Sequence, residues 1–336
     1  MLDVRKLRLL RELAHRATIA AVADALSYTP SAVSQQLAAL EREAGVPLLR
    51  RTGRRVALTP AGAALAEQTE AVLALLEQAA ATLATARAGL TGPLRIGAFP
   101  TAVRTILPAA LVALGRDHPG LELMVTELDP AAVPDALRSG KLDVALVHDY
   151  DYVPVQPDPA LDTEPLLEEA TYLAAPTAPP APADAPTLAG GLPAPAEEQP
   201  VPAEPTIWAY RDAPWIVGSP DTLCHAMAVR ACQAAGFTPR IRHHADDFTT
   251  VLALVAAGQG VALVPQLGAT GPPAGVTLTP LPTRRRTRIA YRKGTRHRPS
   301  VAACIAAIRA AAQEPGPGSA ILSAEGVRCV EAPRQD

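Results

Sequence analysis

Residues 18–45, TIAAVADALSYTPSAVSQQLAALEREAG, press two helices into one tight turn, and few folds accept that arrangement. Thr18 stands as an N-cap before Ile19, Val22, Ala23 and Leu26, which share one helical face. Thr29 can cap the next helix and Pro30 can open it, because the first helical position needs no amide donor. Val33, Leu37, Leu40 and Ala44 then recur at the spacing of a stripe laid on a core. The other face begins with Ser31, Ser34 and Gln35, then Ala38, and reaches Arg42 only later. A solvated face would be studded with Lys and Glu; short uncharged hydrogen-bonding groups instead leave room for close approach. The plainer reading has Ser31 capping the helix and Gln35 facing water.

Neighbouring residues add a third helix and a hairpin. Val4, Leu7, Leu10 and Leu13 form an amphipathic stripe ahead of the pair. Behind it, Pro47–Leu49 and Val56–Leu58 flank Thr52–Gly53, a β-hairpin with Arg50, Arg51, Arg54 and Arg55 near its tip. Such a run can be only a solvated turn. Beside a helix-turn-helix it reads as a wing, since the second helix of that motif enters the major groove by its N-terminal end. Serine and glutamine there can reach base edges, and arginine pairs bidentately with phosphate. The overall net charge is −2, but residues 1–60 carry ten Lys/Arg against five Asp/Glu, placing a polyanion contact at this end.

The stretch AAVADALSYTPSAVSQQLAALEREAGVPLLRRTGRRVALTPAG resembles, without gaps, the N-terminal half of a LysR-type transcriptional regulator. The resemblance implies that Ser31, Ser34 and Gln35 face bases while Thr29, Arg50, Arg51, Arg54 and Arg55 hold the DNA backbone. Members of that family often have Gln where this chain has Pro30 and Arg where it has Gln35. The base preference of relatives therefore does not carry over.

Thr59 and Pro60 open a helix that the pattern extends to about Ala88. Leu65, Thr69, Val72, Leu76, Ala79, Leu83, Ala86 and Leu90 alternate at four and three, a coiled-coil seam. A helix of this length spans about 43 Å, more than a three-helix core needs. Pairing with a second chain through Leu65, Val72, Leu76 and Leu83 is expected, and the resemblance implies the same; packing back on its own domain is the alternative.

After Gly92 the pattern becomes strand–helix alternation, the mark of a parallel sheet. The expected fold is α/β overall. It comprises a winged helix-turn-helix at 1–59, a linker helix at 60–90 and a two-lobed α/β domain at 93–314. Lobe I takes about 93–165 and 278–314, and lobe II about 166–277. Small ligands bind at the carboxyl ends of such strands, near helix N-termini. Thr101 lies there on the first lobe and Ser219 and Thr222 on the second, suited to an anionic or hydroxylated ligand, though each can equally be a helix cap. The resemblance, weaker here, implies a domain like periplasmic binding proteins, with Asp247 and Phe248 lining the cleft. His148, at a strand end, is a further rim candidate, although a lone His of this kind is more often a satisfied structural residue. Residues 176–205 hold ten prolines and read as an extended loop, and the tail from 315 to 336 as unstructured.

The four cysteines share no ligand-like spacing, and on a strand His243 and His244 point to opposite faces, so no metal or cofactor is expected. No nucleophile elbow, P-loop or H-E-x-x-H occurs, so no enzymatic activity is expected. Neither a membrane span nor a signal peptide is visible, which suggests a cytoplasmic protein. The expected partners are double-stranded DNA at an inverted-repeat promoter site, a small-molecule effector, further copies of the chain in a homodimer or homotetramer, and RNA polymerase. A solute-binding protein would explain two lobes but not residues 1–90.

Overall fold

The computed structural model describes residues 1–52, 55–85, 89–177, 207–313 and 328–329. Helices α1 (Val4–Arg16), α2 (Ile19–Leu26) and α3 (Pro30–Ala44) are capped by Asp3, Thr18 and Thr29, whose side chains accept from amides of the first turn. Their apolar stripes converge, leaving Leu10, Val22, Val33 and Leu40 with no exposure. Strands β1 (Leu49–Thr52) and β2 (Arg55–Leu58) form the wing. Glu41 ties it to α3 by accepting from the amides of Leu48 and Leu49 at 2.9 Å each. Gly62 lies so close to the wing that an added Cβ would sit 2.1 Å from the Leu48 carbonyl oxygen.

Helix α4 (Pro60–Thr85) is the linker, and residues 86–88 of the expected helix lie outside the described residues. Its first turns do not form the expected seam. Leu65 packs half-buried against the three-helix core, and Thr69 is 1% exposed, its hydroxyl donating to the Leu65 carbonyl. The reason is α1, which lies along this stretch and pairs His15 with Glu70 at 3.3 Å. Farther on, Val72, Leu76 and Leu83 are exposed at 38, 47 and 72%.

The second part begins with β3 (Gly92–Ala98), α5 (Pro100–Thr105), α6 (Leu107–Asp117), β4 (Leu121–Glu127), α7 (Val133–Arg138) and β5 (Val144–Tyr150). Strand β3 lies between β4 and β5, parallel to both. Helices α5 and α6 are separate because Pro108 opens a new first turn after Ile106. Strand β6 (Leu161–Pro176) then leads to β7 (Pro214–Val217), α8 (Leu223–Ala234), β8 (Arg240–His244), α9 (Phe248–Ala256) and β9 (Ala262–Pro265). Strand β10 (Val276–Arg292) returns to α10 (Pro299–Gln313).

Strands β6 and β10 pair antiparallel along nearly their whole length and run through both lobes. The expected divisions at 165/166 and 277/278 fall inside these two strands, so the lobes share one two-stranded ribbon. Lobe I packs α6 and α10 on one sheet face around Ile96, Leu146 and Ile289. Lobe II packs α8 and α9 on β7 and β9 around Trp215, Met227 and Val264. From the Pro-rich segment, Pro176 ends β6 and Thr177 donates to the Gly275 carbonyl; residues 178–206 lie outside the described residues. In the tail, Arg328–Cys329 form a two-residue strand on β6, against the expectation of an unstructured end, while the remainder is outside the described residues.

Candidate functional site

Helix α3 turns its fully buried Val33, Leu37 and Leu40 inward and leaves Ser31, Ser34 and Gln35 exposed. The cap is Thr29, accepting from the Ala32 amide at 3.2 Å, which frees Ser31 from that duty. The Ser34 hydroxyl donates back to the Pro30 carbonyl at 3.0 Å. Arg50 is exposed opposite Ala57 on the wing, and the backbones of Arg51 and Arg55 pair with Val56 and Thr52. Arg54 lies outside the described residues. The polar start of α3 and Arg50 of the wing therefore both lie exposed on one small domain.

Between the lobes lies a cavity of about 210 Å³. Lobe I contributes Phe99, Thr101 and Asp129; lobe II contributes Thr222, Cys224, Asp246 and Phe248. His148 and Arg285 form its floor from β5 and β10. Thr222 caps α8, accepting from the His225 amide at 3.2 Å, and also lines the cavity, so the two readings of that residue coexist. Thr101 lies inside the first turn of α5 and is 2% exposed. Ser219 is set back from the cavity, donating its hydroxyl to Asp246 at 2.6 Å. Asp247 is also set back: it caps α9 and accepts from Arg104 of α5 at 2.8 Å, an ion pair joining the lobes.

Burial drives the His148 imidazole well below its ordinary value, helped by the Arg285 charge, so the ring is neutral. Its edge meets Phe99 and Tyr150 at centroid distances of 4.5 and 5.2 Å, and neither ring nitrogen has a hydrogen-bond partner. Arg285 is fully buried against Glu169, Nε donating at 2.7 Å, and its guanidinium stacks 4.9 Å from the Phe99 ring. Burial pushes the Asp129 carboxyl up, and nearby Asp246 adds to the shift. Glu127, Asp129 and Asp246 thus line the cavity against one guanidinium already held by Glu169. Three carboxylates against one compensated guanidinium make the lining of this cavity net acidic.

Two family models cover the chain: the bacterial regulatory helix-turn-helix protein of the lysR family over residues 4–63, and the LysR substrate binding domain over residues 87–313. This chain belongs to the LysR family of transcriptional regulators. The regulator is 33% identical over 265 residues to a probable hydrogen peroxide-inducible genes activator of Mycobacterium avium, spanning 77% of this chain and 76% of that protein. A mutant of Corynebacterium glutamicum OxyR superposes with a TM-score of 0.50 at 25% identity, covering 96 and 94% of the two chains. A full-length variant of Pseudomonas aeruginosa OxyR carrying one Cys-to-Asp substitution gives 0.54 at 23% identity, covering 92 and 95%. The regulator is thus a DNA-binding protein with an effector-binding domain. Among the described residues, no helix is long and apolar enough to cross a membrane, and no group of three His, Cys, Asp or Glu is placed to hold a metal.

Sequence reasoning missed Asp129, Cys224, Asp246 and Arg285 in the cleft of this regulator. Arg285 sits in the run TRRRTR, where only the alternation of β10 separates the buried Arg285 from the half-exposed Arg284 and Arg286. An alternating burial pattern applied to that run would have flagged it. Nothing local distinguishes Asp129 or Asp246.

Proposed function

We propose that the regulator reads promoter DNA with Ser31, Ser34 and Gln35 at the start of α3, while Thr29 and wing arginines Arg50, Arg51, Arg54 and Arg55 hold the backbone. The observation that carries this reading is the uncovered polar start of α3 opposite a stripe with at most 1% exposure. Two copies pair through Val72, Leu76, Ala79 and Leu83, all exposed on α4 at heptad spacing, which sets two reading heads on an inverted repeat. A neutral or cationic hydroxylated effector binds among Thr101, His148, Thr222 and Asp129, its hydroxyl satisfying the unpartnered imidazole. Effector binding alters the balance of lobe arrangements that Arg104 and Asp247 bridge, and with it the spacing of the heads.

Footprinting with variants tests the DNA reading. Ser34→Ala or Gln35→Ala should relax sequence choice, whereas Arg54→Ala with Arg55→Ala should weaken binding evenly and flatten the salt slope by about two. Equal losses on cognate and random DNA for the α3 variants would refute base reading.

A second reading is favoured by one residue, Cys224, which lines the cleft in a chain whose relatives include a peroxide-inducible activator. The thiol sulfur would attack hydrogen peroxide, leaving a sulfenic acid and water. Burial raises the Cys224 thiol, countered by its contact with the Tyr150 hydroxyl at 3.6 Å and by the Arg285 charge. A protonated thiol reacts slowly, so the non-covalent effector stands first. Cys224→Ser decides between them: loss of a peroxide response in DNA binding supports the second reading, and an unaltered response refutes it.

A further inference from the structure

A second cavity, of about 140 Å³, lies where α1, the linker helix α4 and lobe I meet. Its walls are cationic. Arg8 and Arg11 come from the DNA-reading domain, and Arg138, Arg292 and Lys293 from lobe I; Glu70 and Glu77 of α4 are the only carboxylates in its lining among the described residues. The side chains of Arg11 and Arg138 are 6 and 8% exposed, and the Nε of each finds no acceptor. Carboxylates engage their terminal nitrogens: Glu12 and Glu70 at 3.1 and 3.5 Å for Arg11, and Asp135 and Asp158 for Arg138. Arg8 and Lys293 are exposed and form no ion pair among the described residues.

A buried guanidinium with a spare donor is costly unless an acceptor completes it. Two such groups in one small cavity, with two unpaired cations at its edge, fit a compact ligand with several anionic oxygens. Volume narrows the class, since sites for drug-sized ligands occupy roughly 300–1,000 Å³. We propose that this junction binds a small tetrahedral oxyanion of the inorganic phosphate type, which braces the DNA-reading domain against lobe I. The two parts already meet through Arg16 and Asp135 at 3.0 Å, and Gly294 of lobe I packs where an added Cβ would lie 2.3 Å from the Ala74 carbonyl oxygen of α4. An anion touching both sides stabilises that docking, and where DNA binding shifts the docking, anion and DNA alter each other's affinity by the same factor. The acidic interlobe cleft is a different site with the opposite charge preference.

The test is calorimetric titration of the full-length protein with inorganic phosphate, at ionic strength held constant with potassium chloride. Saturable binding of one phosphate per chain is expected. Replacing Arg8→Gln and Lys293→Gln together, both surface positions, should weaken it about tenfold while leaving the thermal midpoint in chloride unchanged. Arg138→Gln should abolish it. A nucleoside monophosphate, too bulky for the cavity, should bind at least about tenfold more weakly than phosphate. No saturable heat above matched chloride, unchanged affinity in the double variant, or tighter binding of the nucleotide would each overturn the proposal.

Discussion

Glu169→Gln should remove much of the stability of the effector domain. Glu169 and Arg285 face each other across β6 and β10 and are both fully buried. Glu169 accepts from Arg285 Nε at 2.7 Å and from the Leu267 amide at 2.6 Å. Glutamine keeps the shape but has one acceptor oxygen for the two donors, so while it accepts from Leu267 the change removes both the charge and the acceptor that faced Arg285. It leaves a guanidinium buried without a counter-charge, with Phe99 stacked on it. Breaking one side of such a pair costs about 3–5 kcal/mol, against a total of roughly 5–15 kcal/mol for a domain. The assay is urea unfolding followed by Trp215 fluorescence, since that ring is fully buried in lobe II. The loss should be nearly the same at about 0.1 M and about 1 M salt, because buried charges are weakly screened. Glu169→Leu with Arg285→Met should recover most of it, as replacing a whole buried pair by apolar groups is often neutral. A single-variant loss below about 1 kcal/mol, or a strong salt dependence, would refute the reasoning.

Two further outcomes follow from the same geometry. Leu76→Glu with Leu83→Glu places charges on the exposed stripe of α4 and should turn dimers into monomers in sedimentation without lowering helix content; persistent dimers would relocate the interface. The Asp247 carboxyl is pushed up by burial, but the amides of Thr250 and Thr249 and the charge of Arg104 hold it below its ordinary 3.8. Its contribution to stability is therefore complete above 3.8 and is lost as pH falls through the lower folded-state value. The carboxyl carbon shift in NMR should titrate below the ordinary range, and Arg104→Ala should move that midpoint up; a midpoint at or above 3.8 contradicts the ion pair between lobes.

The reading domain was legible because its signals are local. Caps at Thr18 and Thr29, the stripe of α3 and the paired strands of the wing each lie within a few residues, and helix and turn chemistry act over that range. The linker pattern was legible in period but not in partner. Nothing within it shows that Leu65 and Thr69 are covered by α1 while Val72, Leu76 and Leu83 are not.

The sequence by itself determined the order of elements, the winged helix-turn-helix and the presence of two α/β lobes, because each rests on periodicity and turn residues close along the chain. Only the tertiary structure decided the chemistry of the cleft. Arg104 meets Asp247 across 143 positions and Arg285 meets Glu169 across 116, and it was the packing of β6 against β10 that set the latter pair in register. Charges that distant carry no mark of their partners in a linear pattern. Their sum at a site, acidic between the lobes and basic at the junction with α1, exists only once the chain has folded.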